Sequence, residues 1–268
     1  MLQMNSELPN SSLLEAARRE IDAIDDQMLD LLARRFAATE KVRHAKQGES
    51  AGVQLPLRPA REAQILRRLL ARAKDSNLSP EFLVRLWRGI LSQSSLNQSA
   101  ITIHVSRRLN ANVGHRLRLR DQFGPMPVEE YRDEAQALMQ INAQPSDICV
   151  VETEQPWAEA FVEGIAGAAR VIAGLPALAG EQAMPQLLIL GQALPAASGD
   201  DETLVITKGK LPRAFAPEPL WQGKSGAFRL SALPGFLAEH ESPLVSLPRT
   251  NAALGLRLAG HYSRAIAV

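Results

Sequence analysis

The sequence predicts a multidomain chain in which an all-α segment of three helices is followed by a small α/β (α+β) domain. Residues 12–47 contain no proline or glycine and carry apolar residues at spacings of three and four, which predicts one long amphipathic helix. Two further helical segments follow, each beginning at a proline. Beyond residue 100, short apolar runs alternate with helical segments, as in an α/β sheet. We therefore place one domain at residues 1–99 and the other at residues 100–268.

The first helix is predicted from Ser12 to Gln47. Ser12 can cap its start, and Glu15 would complete a capping box. The apolar seam of this helix is interrupted by Arg35, where a buried guanidinium costs several kcal/mol unless an anion meets it. Lys46 lies three turns further along the same face, about 16 Å from Arg35. The seam itself consists of Leu14, Ala17, Ile21, Ile24, Met28 and Leu31.

Arg18 lies on the same helix but about a quarter of a turn away from Arg35. One small domain cannot cover a helix of this length, so an antiparallel partner helix is expected. In such a pair, Arg18 of one chain approaches Arg35 and Lys46 of the other. The sequence therefore predicts that two chains pair along this helix and share a cationic site.

Two shorter helices are predicted next. Pro59 suits the first turn of a helix over residues 60–74, and Ser79 and Pro80 suit the cap and first turn of a third helix that reaches about Gln98. The residues predicted to face inward are Ile65, Leu66, Leu69, Leu70 and Ala73 on the second helix, and Phe82, Leu83, Leu86, Trp87, Ile90 and Leu91 on the third.

Polar residues lie on or beside these inward stripes as well. Arg61 and Glu62 are in the first turn of the second helix, and Ser94 and Gln98 continue the stripe of the third. With the cations of the first helix they would form a buried pocket with hydroxyl and amide donors. Such a pocket suits a small dicarboxylate.

The second part of the chain is predicted to be a sheet with helices. Its apolar runs have the length of buried strands and are bounded by turn residues. Cys149 lies in one of them and is expected to be a buried thiol. Strands are predicted at residues 101–105, 148–151, 169–172, 186–190, 203–206, 243–247 and 254–260, and helices at residues 113–123, 134–142, 157–165 and 232–239.

Composition argues against several classes of function. A net charge of +1 indicates no polyanionic partner, and an aromatic content of 4% argues against a base-stacking surface for nucleic acid. A single cysteine excludes an intrachain disulfide and a cysteine-rich zinc site, and no metal is expected. The N-terminus lacks the blocks of a signal peptide, and no apolar run is long enough to span a membrane. We expect a cytoplasmic protein with no membrane partner.

Residues 12 to about 99 resemble the all-helical chorismate mutases, a family of intertwined dimers with one long helix and two shorter ones per chain. The order and spacing of the matching residues agree across three helices. The matching pieces are Arg18-x6-Asp25, Leu31-Leu-Ala-Arg-Arg35, Ala45-Lys46, Arg61-Glu62 and Ser94-x3-Gln98.

The resemblance implies a cofactor-free Claisen rearrangement of chorismate to prephenate in aromatic amino acid biosynthesis. It implies that Arg35 and Arg18 of the partner subunit bind the two substrate carboxylates, and that Lys46 and Gln98 donate to the ether oxygen of the breaking bond. Glu62 resembles the acceptor for the ring hydroxyl. The implied substrate-binding set is Arg18, Arg35, Lys46, Arg58, Arg61, Glu62, Ser94 and Gln98, of which Lys46, Gln98, Arg35 and Glu62 are implied to be catalytic.

One position departs from the family pattern. Arg58 stands three residues before Arg61, where the family often has an aspartate. An extra cation at this place would either tighten the binding of a carboxylate or point to solvent, and both readings stay open.

The second part of the chain resembles a shortened prephenate-dehydratase-like module, in residues 114–124 and in the unit that ends at residues 147–152. The Thr-Arg-Phe signature of that family is missing, and the nearest stretch reads Glu202-Thr-Leu-Val-Ile206. We therefore expect a degenerate domain with a structural or regulatory role and no dehydratase activity.

Two alternatives to a mutase stay open. An isochorismate pyruvate-lyase uses the same helical fold and similar cations, so turnover of isochorismate in place of chorismate would identify it. The other alternative is a non-catalytic dimer that senses a metabolite through its second domain. This alternative predicts that the metabolite binds without turnover. The departure from the family pattern at Arg58 is the feature that leaves this alternative open.

Overall fold

The chain divides into two compact units, Met1–Gly52 and Val53–Val268. The computed structural model describes residues 8–47, 55–179, 184–213, 215–246 and 251–267, and in the first of these stretches the side chains from Ser12 to Val42. Gly48 and Gly52 predict a loop after the long helix, and this segment lies outside the described residues. The structure consists of a long helical segment followed by an α/β region with a large mixed sheet. This confirms the fold class that the sequence predicts.

Within its described residues the first unit is a single helix, α1 (Leu8–Gln47), which at 40 residues is about 60 Å long. It begins before Ser12, so the predicted cap at Ser12 is wrong and Ser12 lies inside the helix. The apolar side chains of the seam are largely exposed. A continuous stripe of exposed apolar side chains normally marks an interaction surface. The exposed fractions are 52% for Leu14, 56% for Ile21, 48% for Ile24, 47% for Met28 and 58% for Leu31.

The two shorter helices form where the prolines predict them. Pro59 opens α2 (Pro59–Arg72), and Pro80 opens α3 (Pro80–Leu96). The Ser79 side chain caps α3 by accepting a hydrogen bond from the Phe82 amide at 3.2 Å. This confirms the predicted cap, because the hydroxyl satisfies one of the unpaired donors of the first turn.

The inward face of α3 is rotated from its predicted position. Phe82 was predicted to face inward and is 54% exposed. The difference arises because α3 packs against the helix α5 (Val113–Phe123) as well as against α2. The Ser92 hydroxyl donates to the carbonyl of Gln122 on α5 at 3.0 Å. The buried residues of α3 are Leu83, Val84, Arg88, Leu91, Ser92, Ser94 and Ser95.

The second unit is built on a nine-stranded sheet in the order β2-β1-β3-β6-β4-β10-β7-β9-β8. Its strands are β1 (Ile103–Ser106), β2 (Val128–Tyr131), β3 (Ile148–Glu152), β4 (Arg170–Leu175), β6 (Leu187–Gly191), β7 (Asp201–Thr207), β8 (Trp221–Ser225), β9 (Phe228–Pro234) and β10 (Arg257–Ser263). A short parallel pair joins β5 (Leu178–Ala179) to β11 (Ile266–Ala267). The remaining helices are α4 (Arg107–Ala111), α6 (Glu134–Ala143), α7 (Trp157–Val162) and a 3-10 turn at Ala252–Leu254.

Residues of the central strands alternate between two buried faces. On β6, Leu188 and Leu190 pack with α6 and α7, whereas Leu187 and Ile189 pack on the opposite side with α5. Both faces are covered, which is why these strands read as continuous apolar runs. Cys149 is fully buried between its neighbours on β3, as predicted, and burial raises the pKa of its thiol.

Two of the predicted elements near the end of the chain are wrong. The helix predicted over residues 232–239 is instead the end of β9 followed by an irregular segment. Pro234 and Gly235, whose φ is +88°, stop the strand and exclude a helix there. Residues 243–246, predicted as a strand, form turns ending in a helical residue.

The two halves of the sheet meet at β4 and β10. These strands run parallel, and Gly260 is paired with Val171. Gly260 has φ +151°, and a Cβ built there would lie 2.1 Å from the Val171 carbonyl oxygen. Only glycine permits the two backbones to approach this closely.

Arg67 ties α2 to the sheet. Its Nη1 donates to the Ser198 carbonyl at 3.2 Å and to the Ser198 hydroxyl at 3.0 Å, and its Nη2 donates to the Asp200 carbonyl at 2.8 Å and to the Ser263 hydroxyl. The helices α2 and α3 therefore belong to the same compact unit as the sheet. The domain boundary between residues 99 and 100 stays a prediction.

Replacing Arg67 with Met should lower the free energy of unfolding by about 2 kcal/mol, because a charged donor contributes ~1.5–3 kcal/mol through its hydrogen bonds and its acceptors would lose their partner. Urea denaturation of the full chain measures the change. The matched control is Arg68→Met at the exposed neighbouring position, expected to change stability by less than about 0.5 kcal/mol. Equal effects of the two substitutions would show that Arg67 does not anchor α2.

Candidate active site

Three of the predicted cations lie on α1. Arg18 is exposed. Arg35 is half-buried, and its burial lowers the pKa of the guanidinium. Lys46 belongs to the last turn of the helix, and its side chain lies outside the described residues. Because α1 is a compact unit of its own, a site shared by these cations with α2 and α3 stays a prediction.

Glu62 on α2 forms a buried ion pair with Arg88 on α3. Glu62 Oε2 lies 2.6 Å from Arg88 Nη1, and the two side chains are 13% and 11% exposed. Burial lowers the pKa of Arg88, whereas the charge of Glu62 and its hydrogen bond act in the opposite direction. Each charge thus compensates the desolvation of the other, which is the condition for keeping an ion pair at this depth.

Ser94 and Gln98 lie in contact at the end of α3. The Ser94 hydroxyl is buried and donates to the Ile90 carbonyl at 2.9 Å. The side-chain amide of Gln98 donates from Nε2 to the Ser94 carbonyl at 2.9 Å. The helix ends at Leu96, so Gln98 reaches back over its last turn. The end of α3 therefore presents an amide and a hydroxyl side by side.

Arg58 and Arg61 are both exposed at the start of α2. Arg58 occupies the N-cap position, where its carbonyl accepts from the Glu62 amide at 2.9 Å and its side chain makes no cap hydrogen bond. Arg61 Nη1 donates to the side-chain carbonyl of Gln64 at 3.3 Å. Contact of either arginine with a substrate stays a prediction.

Arg88 is the polar residue of this region that the sequence analysis missed. It was passed over because the inward stripe of α3 was placed one residue too early, on Trp87 rather than Arg88. The criterion that singled out Arg35, a cation on an otherwise buried stripe, would have found it. Its Nε atom is buried and makes no hydrogen bond within the described structure.

A small cavity lies beside the ion pair. It has a volume of about 40 Å³ and is lined by Glu62, Arg88, Phe123, Gly174 and Arg264 among others. A water molecule needs about 10–15 Å³ of such space, so the cavity holds a few waters at most. This space can hydrate Glu62 and Arg88 but does not itself enclose a dicarboxylate of the predicted size.

The model of the chorismate mutase type II family matches residues 17–99. The matched stretch extends from α1 through α3 and contains all of the predicted site residues. A comparison with curated proteins finds no match.

Two solved structures are similar to the chain at a low level. One is the prephenate dehydratase from Streptococcus mutans, with 10% identity, coverage of 61% of this chain and 97% of that chain, and a TM-score of 0.37. The other is GqqA, described as a novel type of quorum quenching acylase, with 12% identity, coverage of 61% and 95%, and a TM-score of 0.39. Neither likeness is close enough to carry a conclusion about function.

No helix in the described part of the chain is long and apolar enough to cross a membrane. Within the same residues, no group of three or more His, Cys, Asp or Glu side chains is arranged to hold a metal ion.

Replacing Arg88 with Met should lower the free energy of unfolding by roughly 3–5 kcal/mol, because it leaves the Glu62 carboxylate buried without a partner. Thermal or urea unfolding of the full chain measures the loss. The double variant Glu62→Met with Arg88→Met should be clearly more stable than Arg88→Met alone, since both charges are then removed together.

The matched control is Arg85→Met on the same helix. The Arg85 side chain is 72% exposed and lies 3.4 Å from Asp121. Exposed pairs of this kind contribute about 0–1 kcal/mol. A double variant no more stable than Arg88→Met would contradict the assignment of a compensated pair.

Proposed function

Because residues 17–99 match the model of the chorismate mutase type II family, we propose that this chain is a chorismate mutase that isomerises chorismate to prephenate without a cofactor. The observation that carries the proposal is the family match itself. It spans α1 to α3 and contains every residue of the predicted site.

The reaction requires the protein only to position the substrate and to stabilise the charge that develops on it. One C–O bond breaks while one C–C bond forms, so no nucleophile, proton transfer or metal is needed. The site holds the substrate in a compact conformer, which is an orientation effect. It also stabilises the negative charge that develops on the ether oxygen, which preorganised donors do well in a dry pocket. We assign Lys46 and Gln98 to that oxygen, and Arg35 with Arg18 of the partner subunit to the carboxylates.

The hydrogen bonds of α2 and α3 are compatible with these roles. The Gln98 amide nitrogen carries two hydrogens, and the bond to the Ser94 carbonyl uses one, so a second can be donated to the substrate. Glu62 binds Arg88 through Oε2, and a carboxylate has a second oxygen that can accept from the ring hydroxyl. Both side chains are thus held in place by one bond while keeping capacity for another.

A homodimer is supported by the exposed seam of α1. Ile21, Ile24 and Met28 are each about half exposed along one face of the helix. Burying apolar area gains about 25 cal/mol per Å², so pairing this face with the same face of a second chain is favourable. Arg35 continues the seam and is half-buried. In the proposed dimer its guanidinium would therefore lie along the interface, where it can bind the anionic substrate.

Activity is tested with the full chain. Chorismate should be converted to prephenate, and Lys46→Ala and Gln98→Ala should each lower kcat by roughly 10²–10³, the usual effect of losing one such donor. Lys41→Ala, an exposed lysine of the same helix, is the control and should leave the rate unchanged. The Gln98 amide can donate a hydrogen bond without first being protonated. The rate should therefore vary little between pH 5 and pH 8.

Other results would contradict the proposal in distinguishable ways. Turnover of isochorismate to pyruvate in place of chorismate would identify a lyase. Binding of chorismate without turnover, unchanged in Lys46→Ala, would identify a sensor.

The dimer is tested by charging the seam. Met28→Lys should convert the protein to a monomer in light scattering after size-exclusion chromatography, because a lysine would have to be buried between the helices. Asp26→Lys introduces the same side chain on the opposite side of α1 and should leave the dimer intact. Dissociation by both variants, or by neither, would contradict an interface along this seam.

The exchange of Arg18 between chains has its own test. Arg18→Ala and Arg35→Ala should each be inactive alone. When the two are mixed and allowed to exchange subunits, half of the dimers are mixed and each has one complete site, so about a quarter of the activity should return. No recovery in a mixture that does exchange would place Arg18 and Arg35 in the same chain's site.

A further inference from the structure

A cavity of about 260 Å³ opens in the second unit at the line where the two halves of the sheet meet. It is bounded by β4 and β10, by the loops that follow β6 and β9, and by the first turn of α2. Neither Glu62 nor Arg88 lines it, so it is separate from the candidate active site.

The walls of this cavity are apolar and partly flat. The rings of Phe236 and His261 stack with their centroids 4.1 Å apart and their planes at 22°. The His261 ring is fixed, because its Nε2 donates to the Leu237 carbonyl at 2.7 Å, and a carbonyl can only accept. Leu258 and Ile172 add aliphatic surface. A preformed flat wall favours a planar guest, since little order is lost when it binds.

Most polar groups around the cavity already have partners within the protein. The Asp201 carboxylate accepts from the Ser198 amide at 2.8 Å and from the Ser198 hydroxyl at 2.6 Å. The Tyr262 hydroxyl donates to Glu202. These groups are therefore occupied and set the charge of the wall rather than offering a contact to a guest.

Arg170 is the one arginine or lysine among the described residues that line the cavity. Its Nη1 donates to the Ala169 carbonyl at 2.9 Å, and its Cζ lies over the Phe161 ring, 5.9 Å from the centroid. The carbonyl uses one of the five N–H donors of the guanidinium, and the others can bind a carboxylate. The acids Asp201 and Glu239 also border the cavity, and Glu239 is exposed at its rim. A guest with one carboxylate finds a cation there, whereas a second carboxylate would meet like charge.

We propose that this cavity binds a small planar apolar molecule that carries a single carboxylate. The stacked Phe236 and His261 contact its ring, and Arg170 binds its carboxylate. A volume of about 260 Å³ is near the lower end of the roughly 300–1,000 Å³ of small-molecule pockets, so the guest has about the size of a single ring with a short acid chain.

Calorimetric titration of the full chain with 3-phenylpropionate tests the proposal. Binding should be measurable, and 3-phenylpropanol, which lacks the charge, should bind about tenfold or more weakly. Phenylsuccinate, with a second carboxylate, should also bind more weakly than 3-phenylpropionate. Equal binding of all three, or of none, would overturn the proposal.

Variants connect the binding to the cavity. Arg170→Met should remove the preference for the acid over the alcohol, and the matched control Arg257→Met, an exposed arginine on β10 that does not line the cavity, should retain it. His261→Phe keeps a flat ring and should retain binding, whereas His261→Ala should weaken it.

A further variant guards against loss of folding. Ala196 is exposed at the rim, so Ala196→Trp can fill the opening without disturbing the core, and it should abolish binding. Unfolding curves of each variant show whether the chain is intact. Binding that persists in both Arg170→Met and Ala196→Trp with the preference for the acid unchanged would place the site elsewhere.

Discussion

The buried ion pair between Glu62 and Arg88 is the constraint on which the arrangement of α2 and α3 depends. Two charges that have left water tolerate little misplacement, because the attraction that offsets their desolvation falls quickly with poor geometry. At 2.6 Å the pair fixes the first turn of α2 against the middle of α3.

The same helices also serve the sheet. Arg67 lies on α2 only five residues from Glu62, and it reaches the loop before β7 and the end of β10. Ser92 on α3 binds α5. Hydrogen bonds from Arg67 and Ser92 thus join α2 and α3 to the α/β region. The sheet, α2 and α3 therefore belong to one compact unit.

Local chemistry decided which parts of the structure could be predicted. The Ser79 cap and the buried thiol of Cys149 follow from short-range rules that no distant contact overrides. Phe82 was misplaced because the face of α3 that is buried depends on α5, which the periodicity of α3 alone cannot reveal. The helix predicted over residues 232–239 is wrong because β9 extends to Pro234 and Gly235 has a positive φ, which together exclude a helix there.

The candidate site shows the same division. The neighbourhood of Ser94 and Gln98 follows from their separation of four positions, because the turn that follows Leu96 brings Gln98 back to Ser94. Arg88 was missed because the buried face of α3 is shifted by one residue from its predicted position, and its pairing with Glu62, 26 residues away along the chain, is a tertiary property. How Arg18, Arg35 and Lys46 meet the other helices depends on assembly, which lies beyond both the periodicity and the contacts of one compact unit.

The close approach of Gly260 to Val171 has a consequence for motion. One residue pair defines the register between β4 and β10, whereas β7 and β9 are held by a ladder of six pairs. Opening between the sheet halves should therefore cost less free energy than unfolding either half, as expected for a structure made of units with unequal local stability. The two halves of the sheet would then move as rigid bodies about the line between β4 and β10. Hydrogen exchange would reveal this motion if it is faster at the β10 amides that face β4 than at the amides of β9.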